Sequence, residues 1–283
     1  MGPSRISEAF RRRLTSASQT MSVWSARGRL FAGPSQRRHS LPAPLVVSLT
    51  SYPPRFAGLS ATLAPLLVQS VKADRVVLWI AHGDIARLPS SVARLAGKGL
   101  EIRTTDDTGS YKKIIPALAA FSGAFIATAD DDAYYDRRWL GDLIDGWDGR
   151  RDQIVFHRGH RIRLDERGLP LRYQEWTMCI SGPQESVHNF PTGVGGVLYP
   201  PGSLAADVLD RRAFSTLCPN ADDVWLYWMG RRAGAVYKKT GHRTNIAPNL
   251  KSNQDVSLWF GNMAGGNNDR SVARLIEAYG WPG

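Results

Sequence analysis

The sequence runs to 283 residues, 43% hydrophobic and 22% charged, a globular balance with length for one or two domains. No apolar run approaches the ~20 residues that span a bilayer, no apolar segment follows the N-terminal charges as in a secretory signal, and Cys179 and Cys218 lack metal-ligand spacing, so reduced cysteines and a cytoplasmic setting are expected. The net charge is +11, yet residues 1–44 alone hold eight arginines and one acid, +7 of the total; the body is nearly balanced, and no nucleic-acid partner is expected.

The first 44 residues read as a basic arm. Ile6, Phe10, Leu14, Ala17, Met21, Trp24 and Phe31 recur mostly four and three apart, with Arg11, Arg12, Arg13, Arg27 and Arg29 largely between them. This spacing suits an amphipathic helix on an anionic membrane surface, which would make the protein peripheral on the inner face of the plasma membrane. A disordered Ser/Arg-rich tail fits the same residues. Pro34, Pro42 and Pro44 mark a linker, and the folded domain is expected over 45–283.

From Leu45 strand and helix alternate. LVVSLT (45–50), RVVLWIA (75–81), LEIRTT (100–105) and AFIATAD (124–130) read as strands, and residues 59–70, 90–97 and 113–121 as helices. This order predicts an α/β fold with a mostly parallel sheet and helices on both faces. After residue 150 QIVFHR, HRIRLDERGLPLRY and VGGVLYP read as antiparallel strands, and 223–233 and 271–280 as helices.

Three adjacent carboxylates, Asp130, Asp131 and Asp132, end the apolar run AFIATA. Such anions repel unless a positive charge sits among them, and Mg²⁺ or Mn²⁺ prefers carboxylate oxygen while leaving room for substrate phosphate. The C-terminal end of a parallel strand is where open α/β sheets bind ligands. Asp130 and Asp132 are the candidate metal ligands; an acidic helix start capped by Asp132 is the alternative.

Hydroxyls, an aromatic and a cation after the first strand (Thr50, Ser51, Tyr52, Arg55) suit nucleotide contacts. Asp106, after the third strand, could accept from an N–H or hydroxyl of the same ligand. Lys112 and Lys113 oppose the dipole of the helix they start and so point to an anion, a diphosphate or solvent-shielded charge. Asp222 and Asp223 stand at the start of an apolar helix, where an aspartate can cap. Gly193, Gly195 and Gly196 let backbone approach a ligand, and Trp176, Trp225, Trp228 and Trp259 could stack on sugar or fill the core. His157, His160, His188 and His242 are candidate ligands, and residues 259–270 read as a mobile loop.

The segments VVSLTSYPPRF, GSYKKIIPAL, TADDDAYY, FPTGVGGVLYPPGSL and ADDVWLYWM together resemble the GT-A nucleotide-sugar glycosyltransferases, in a bacterial branch near the family 2 enzymes. The resemblance spans about 45–283 and excludes the arm. It implies a single GT-A domain with a nucleotide-binding half (45–132) and a mixed acceptor half (133–283). It also implies metal-dependent transfer of a sugar from a nucleotide diphosphate, usually UDP, to a hydroxyl of a glycan or glycolipid. By the same resemblance Asp132 binds the metal, Asp130 and Asp131 lie at the nucleotide, His242 is a third ligand, and Asp223 rather than Asp222 is the general base of an inverting reaction. Gly195, Gly196 and Trp176 would line the sugar or acceptor pocket. A retaining transferase, a sugar nucleotidyltransferase and a non-catalytic sugar-binding module are the competing readings.

Overall fold

In the computed structural model, which describes residues 21–33, 35–241, 247–248 and 266–283, the chain opens with helix α1 (21–32) and strand β1 (Arg37–Arg38). The alternating half follows as β2 (Leu45–Thr50), α2 (Phe56–Leu67), β3 (Val71–Lys72), β4 (Arg75–Ala81), α3 (Ser90–Ala93), β5 (Leu100–Thr105), α4 (Ile115–Ala120) and β6 (Phe125–Thr128). Next come β7 (Ala133–Tyr134), α5 (Trp139–Asp145), β8 (Gln153–Phe156), β9 (Gly159–Arg161), β10 (Gln184–Ser186), β11 (Asn189–Pro191) and β12 (Val197–Tyr199). The chain closes with α6 (Arg211–Leu217), α7 (Asp222–Arg232), β13 (Val236–Lys239), β14 (Ala247–Pro248) and α8 (Asn267–Tyr279).

Eight strands form the main sheet in the order β10-β13-β8-β12-β6-β2-β4-β5. β2 pairs in parallel with β4 and β6, and β4 with β5. β12 runs antiparallel between β6 and β8, and β13 lies parallel to β8. The segment QIVFHR, expected as an antiparallel strand, is antiparallel to β12 and parallel to β13.

Strands apolar on both faces need cover on both. Leu45, Val47, Leu49, Leu78 and Ile80 face one core with Leu59, Leu63, Val92, Leu140 and Leu143 of α2, α3 and α5. Val46, Val77 and Ile126 face the other with Ala117, Phe214, Val224, Trp225 and Leu275 of α4, α6, α7 and α8. Each buried Leu or Val contributes about 1.5–3 kcal/mol. The architecture is thus the α/β, mostly parallel, two-sided sheet with a mixed C-terminal half that the sequence predicts. The helix expected from residue 113 begins at Ile115 instead, after a 3-10 turn over Gly109–Lys113. Pro116 explains the break, since a residue without N–H fits only a first helical turn.

The boundary expected at residue 44 is also corrected. Ala26, Leu30 and Leu41 are buried in the first core. β1 pairs with β3, Gln36 donates to the Gln69 carbonyl at 2.9 Å, and Arg137 donates to the Ser35 carbonyl at 2.9 Å. Residues 21–44 belong to the folded unit, and the expectations for residues 1–20 lie outside the described residues. No helix among the described residues is long and apolar enough to cross a membrane.

Candidate active site

β2, β4, β5, β6, β8 and β13 run the same way, so their C-terminal ends share one sheet edge. The acidic turn leaves β6 there, and the loop through Gly193–Gly196 enters β12 from the same edge.

The three carboxylates of the turn face different ways. Asp131, only 4% exposed, turns inward, where Ser51 Oγ and Arg55 Nη1 donate to it at 2.6 Å each. Thr62 Oγ1 donates to its carbonyl at 2.9 Å. Arg55 Nη2 also lies 3.1 Å from Asp132 Oδ2. Burial pushes the Asp131 carboxyl up against the pull of Arg55. Ser51, Arg55 and Asp131, expected at the nucleotide, therefore lock the turn to the β2 loop. Thr50 Oγ1 donates to the Trp79 carbonyl at 2.7 Å, and the Tyr52 ring lies 5.4 Å from the Arg55 guanidinium.

Asp130 and Asp132 are half-buried. The Asp130 N–H donates to the Tyr135 hydroxyl at 2.6 Å. Burial, then the Asp130 charge, pushes the Asp132 carboxyl up to about 6.

Lys113 joins this turn to α7. Its carbonyl accepts from Ser48 Oγ at 2.6 Å, and its buried Nζ lies 3.0 Å from both Asp130 Oδ1 and Asp222 Oδ2. Burial opposes the ammonium charge, but Asp130, Asp222 and Asp223 outweigh it. Ser110 Oγ donates to Asp222 at 2.6 Å. Despite burial, Lys113 and Ser110 hold Asp222 below the usual carboxylate range.

Asp223 accepts the Gly193 N–H at 3.0 Å. Burial and then the Asp222 charge push its carboxyl up to about 7. Neither aspartate caps α7, whose N-cap is Ala221 with no side-chain cap. The acidic turn and the aspartate pair, far apart in sequence, thus form one cluster around one lysine, with one carboxyl poised near neutrality.

The glycine loop packs on protein. A Cβ at Gly196 (φ +95°) would fall 2.6 Å from the Trp139 ring, and the Trp139 indole N–H donates to the Gly195 carbonyl at 2.6 Å. Trp139 lies 4.6 Å, ring to ring, from Tyr135, the residue that fixes Asp130.

Several expectations change. Trp176 is 5% exposed, packed between Tyr173 and Phe190 with its N–H donated to the Leu171 carbonyl; it is core rather than a sugar platform, as are Trp225 and Trp228. Asp106 is exposed and takes Arg211 Nη1 at 2.6 Å. Lys112 is buried against Asp107. His157 is fixed between the Trp139 carbonyl and Thr240. His160 accepts the Cys179 N–H, and burial followed by the Arg158 charge lowers its pKa to about 4. His188 stacks on Trp281. His242 and Trp259 lie outside the described residues.

No group of three or more His, Cys, Asp or Glu among the described residues could hold a metal ion alone. Asp130 and Asp132 still suit one, because the Asp130 charge beside Asp132 makes ionisation of Asp132 costly without a cation. Mg²⁺ is commonly held by one or two carboxylates with phosphate and water completing the shell.

Sequence reading missed Tyr135, whose hydroxyl accepts the Asp130 N–H and fixes the acidic turn.

No protein-family model matches the sequence, and no curated protein matches it. Among solved structures, the chain aligns with GalNAc-T7 bound to UDP, GalNAc and Mn²⁺ at 9% identity, over 70% of this chain and 42% of that one, with TM-score 0.44. S. aureus TarS 1–349 aligns at 14% identity, over 83% and 72%, with TM-score 0.48. Its complex with UDP-GlcNAc aligns at 14%, over 72% and 57%, with TM-score 0.45.

Proposed function

We propose that this chain is a divalent-metal-dependent glycosyltransferase, moving a sugar from a nucleotide diphosphate, a UDP-sugar, to a hydroxyl of a glycan or lipid-linked acceptor with inversion. The observation that carries the reading is the single cluster Asp130–Lys113–Asp222 with Asp223 beside it. Asp130 and Asp132 would hold Mn²⁺ or Mg²⁺, which when bound neutralises charge on the departing diphosphate. Asp223 would take the acceptor hydroxyl proton as that oxygen attacks the anomeric carbon. Lys113 keeps Asp222 ionised and draws the aspartate pair toward the acidic turn, while Gly193 N–H holds the base.

A peripheral position on the cytoplasmic face of the membrane belongs to the same reading. Met21, Trp24 and Phe31 line one face of α1 and are 74%, 68% and 81% exposed, opposite the buried Ala26 and Leu30. Arg27 and Lys98, whose ammonium lies 5.3 Å from the Phe31 ring, border that stripe. Apolar side chains flanked by cations match an anionic lipid surface.

The test is a panel of nucleotide sugars assayed for nucleotide release in Mn²⁺ and in EDTA. UDP-sugar turnover in Mn²⁺, lost in EDTA and in Asp132→Ala, is expected, with inversion of the anomeric centre seen by NMR. Full turnover in EDTA removes the metal from the reading; retention at the anomeric carbon removes the base role of Asp223.

A further inference from the structure

We propose that Arg158 is a subsite for an anionic group, a phosphate or carboxylate, carried by the acceptor. This rests on the reading of Asp223 as the acceptor-side base.

The cations of the cluster and its margins are paired with acids: Arg55 with Asp131 and Asp132, Lys112 with Asp107, Lys113 with Asp130 and Asp222, Arg211 with Asp106. Arg158 differs. Its Nη1 donates to Thr192 Oγ1 at 2.9 Å and its Nη2 to Cys179 Sγ at 3.5 Å. Both partners are neutral acceptors that aim the guanidinium without cancelling its charge, and no ion pair forms at Arg158 among the described residues. The Arg158 carbonyl accepts the Thr192 N–H at 3.0 Å and Thr192 Oγ1 at 3.2 Å, so the arginine is tied to the loop by main chain as well. The adjacent residue is Gly193, whose N–H holds Asp223.

The other partner is held under strain. Cys179 has φ +49°, uncommon for a residue with a side chain. Its N–H donates to His160 Nδ1 at 2.8 Å, and the Ile180 N–H donates to the Gly159 carbonyl at 3.0 Å. His160, kept neutral, adds no competing charge. The guanidinium is half-buried, and exposed Val194 and Met178 stand on the two loops it joins. A guanidinium fixed in this way binds phosphate or carboxylate through paired N–H donors.

Position separates this cation from the donor diphosphate. Arg158 leaves β8 and Asp130 leaves β6, with β12 between them. Two strand spacings amount to about 10 Å, with Asp223 held at the loop that enters β12. A diphosphate at the acidic turn has Lys113 nearby, whereas a group on the attacking molecule would reach Arg158.

The experiment titrates sn-glycerol 1-phosphate, with glycerol and glucuronate as companions, into the full chain saturated with UDP and Mg²⁺. Saturable binding of the phosphate and of glucuronate is expected, with none by glycerol. Arg158→Gln should weaken the anions about tenfold, Arg158→Lys less than threefold, and UDP affinity should stay within twofold in both. Thermal unfolding of each variant checks that the fold is kept, and Arg158→Lys decides should the glutamine variant not fold. The proposal is overturned by absent or glycerol-like binding in the wild type, by equal anion binding in Arg158→Gln, or by parallel loss of UDP affinity, which would put the cation at the donor. Failure of the wild type to bind UDP at all would instead sink the glycosyltransferase reading.

Discussion

The N–H of Gly193 donates to Asp223 Oδ1 at 3.0 Å, so the loop entering β12 holds the first turn of α7. A Cβ on Gly193 would fall 2.6 Å from Lys113 Nζ and 3.0 Å from that same oxygen. Gly193→Ala must therefore move the lysine, the aspartate or the loop. Transfer should fall on the order of 10²-fold, the usual cost of small misplacement at a reacting centre, with UDP affinity nearly intact. Wild-type turnover in this variant would show that the hydrogen bond is incidental to the reaction.

Asp223→Asn keeps size and the acceptor oxygen for Gly193 but removes the base. Transfer should drop by ~10²–10⁴ with UDP binding spared. In the wild type the carboxyl is protonated below about 7, so kcat/KM should fall as pH drops through neutrality, and that limb should vanish from the residual activity of the variant. Stability gives an independent check. A carboxyl whose folded pKa is raised favours the fold when protonated, so its contribution is lost as pH rises from the ordinary carboxylate range to about 7. Asp223→Asn should therefore exceed the wild type in Tm at pH 8 and not at pH 4. The reverse order would mean that the aspartate is not strained by its surroundings.

Lys113→Met removes the one cation shared by Asp130 and Asp222 while keeping most of the volume. Leaving buried charge unpaired typically costs about 3–5 kcal/mol, which urea unfolding at pH 7 would read. Lys113 lowers the Asp223 carboxyl, so its loss should move the acidic limb of any remaining activity to higher pH. A limb that stays in place, or moves lower, would break the link between lysine and base.

The framework of this site was legible because it rests on patterns. Apolar runs gave the strands, and carboxylates at the end of one such run gave the turn. Which carboxylate faces inward was not legible: Asp130, Asp131 and Asp132 are chemically identical, and only the Ser51 and Arg55 side chains, reached through the tertiary fold, separate them. Lys113 looked like a diphosphate ligand because a lysine at a helix start signals an anion; the anions proved to include the protein's own Asp130 and Asp222. Trp176 misled because an indole suited to stacking on sugar is equally suited to a core. The arm boundary misled because Pro34, Pro42 and Pro44 resemble a linker, whereas the buried Leu41 between them is visible only in packing.

That packing changes what truncation should do. Ala26, Leu30, Leu41 and the β1–β3 pairing tie the segment before Leu45 into the folded unit. Removing residues 1–44 deletes all of these; Leu30 and Leu41 alone contribute roughly 1.5–3 kcal/mol each, and a clear fall in Tm or insoluble protein is expected. Membrane association must therefore be tested by substitution rather than by cutting at the linker. Trp24→Ser with Phe31→Ser removes two exposed side chains that carry none of the core. The double variant should keep the wild-type Tm and transfer to a soluble acceptor, yet co-float less with anionic vesicles. Wild-type binding should weaken in high salt, because the cations bordering the stripe act within a Debye length of about 10 Å at 0.1 M. Equal flotation of wild type and variant would remove this face of α1 as the lipid contact.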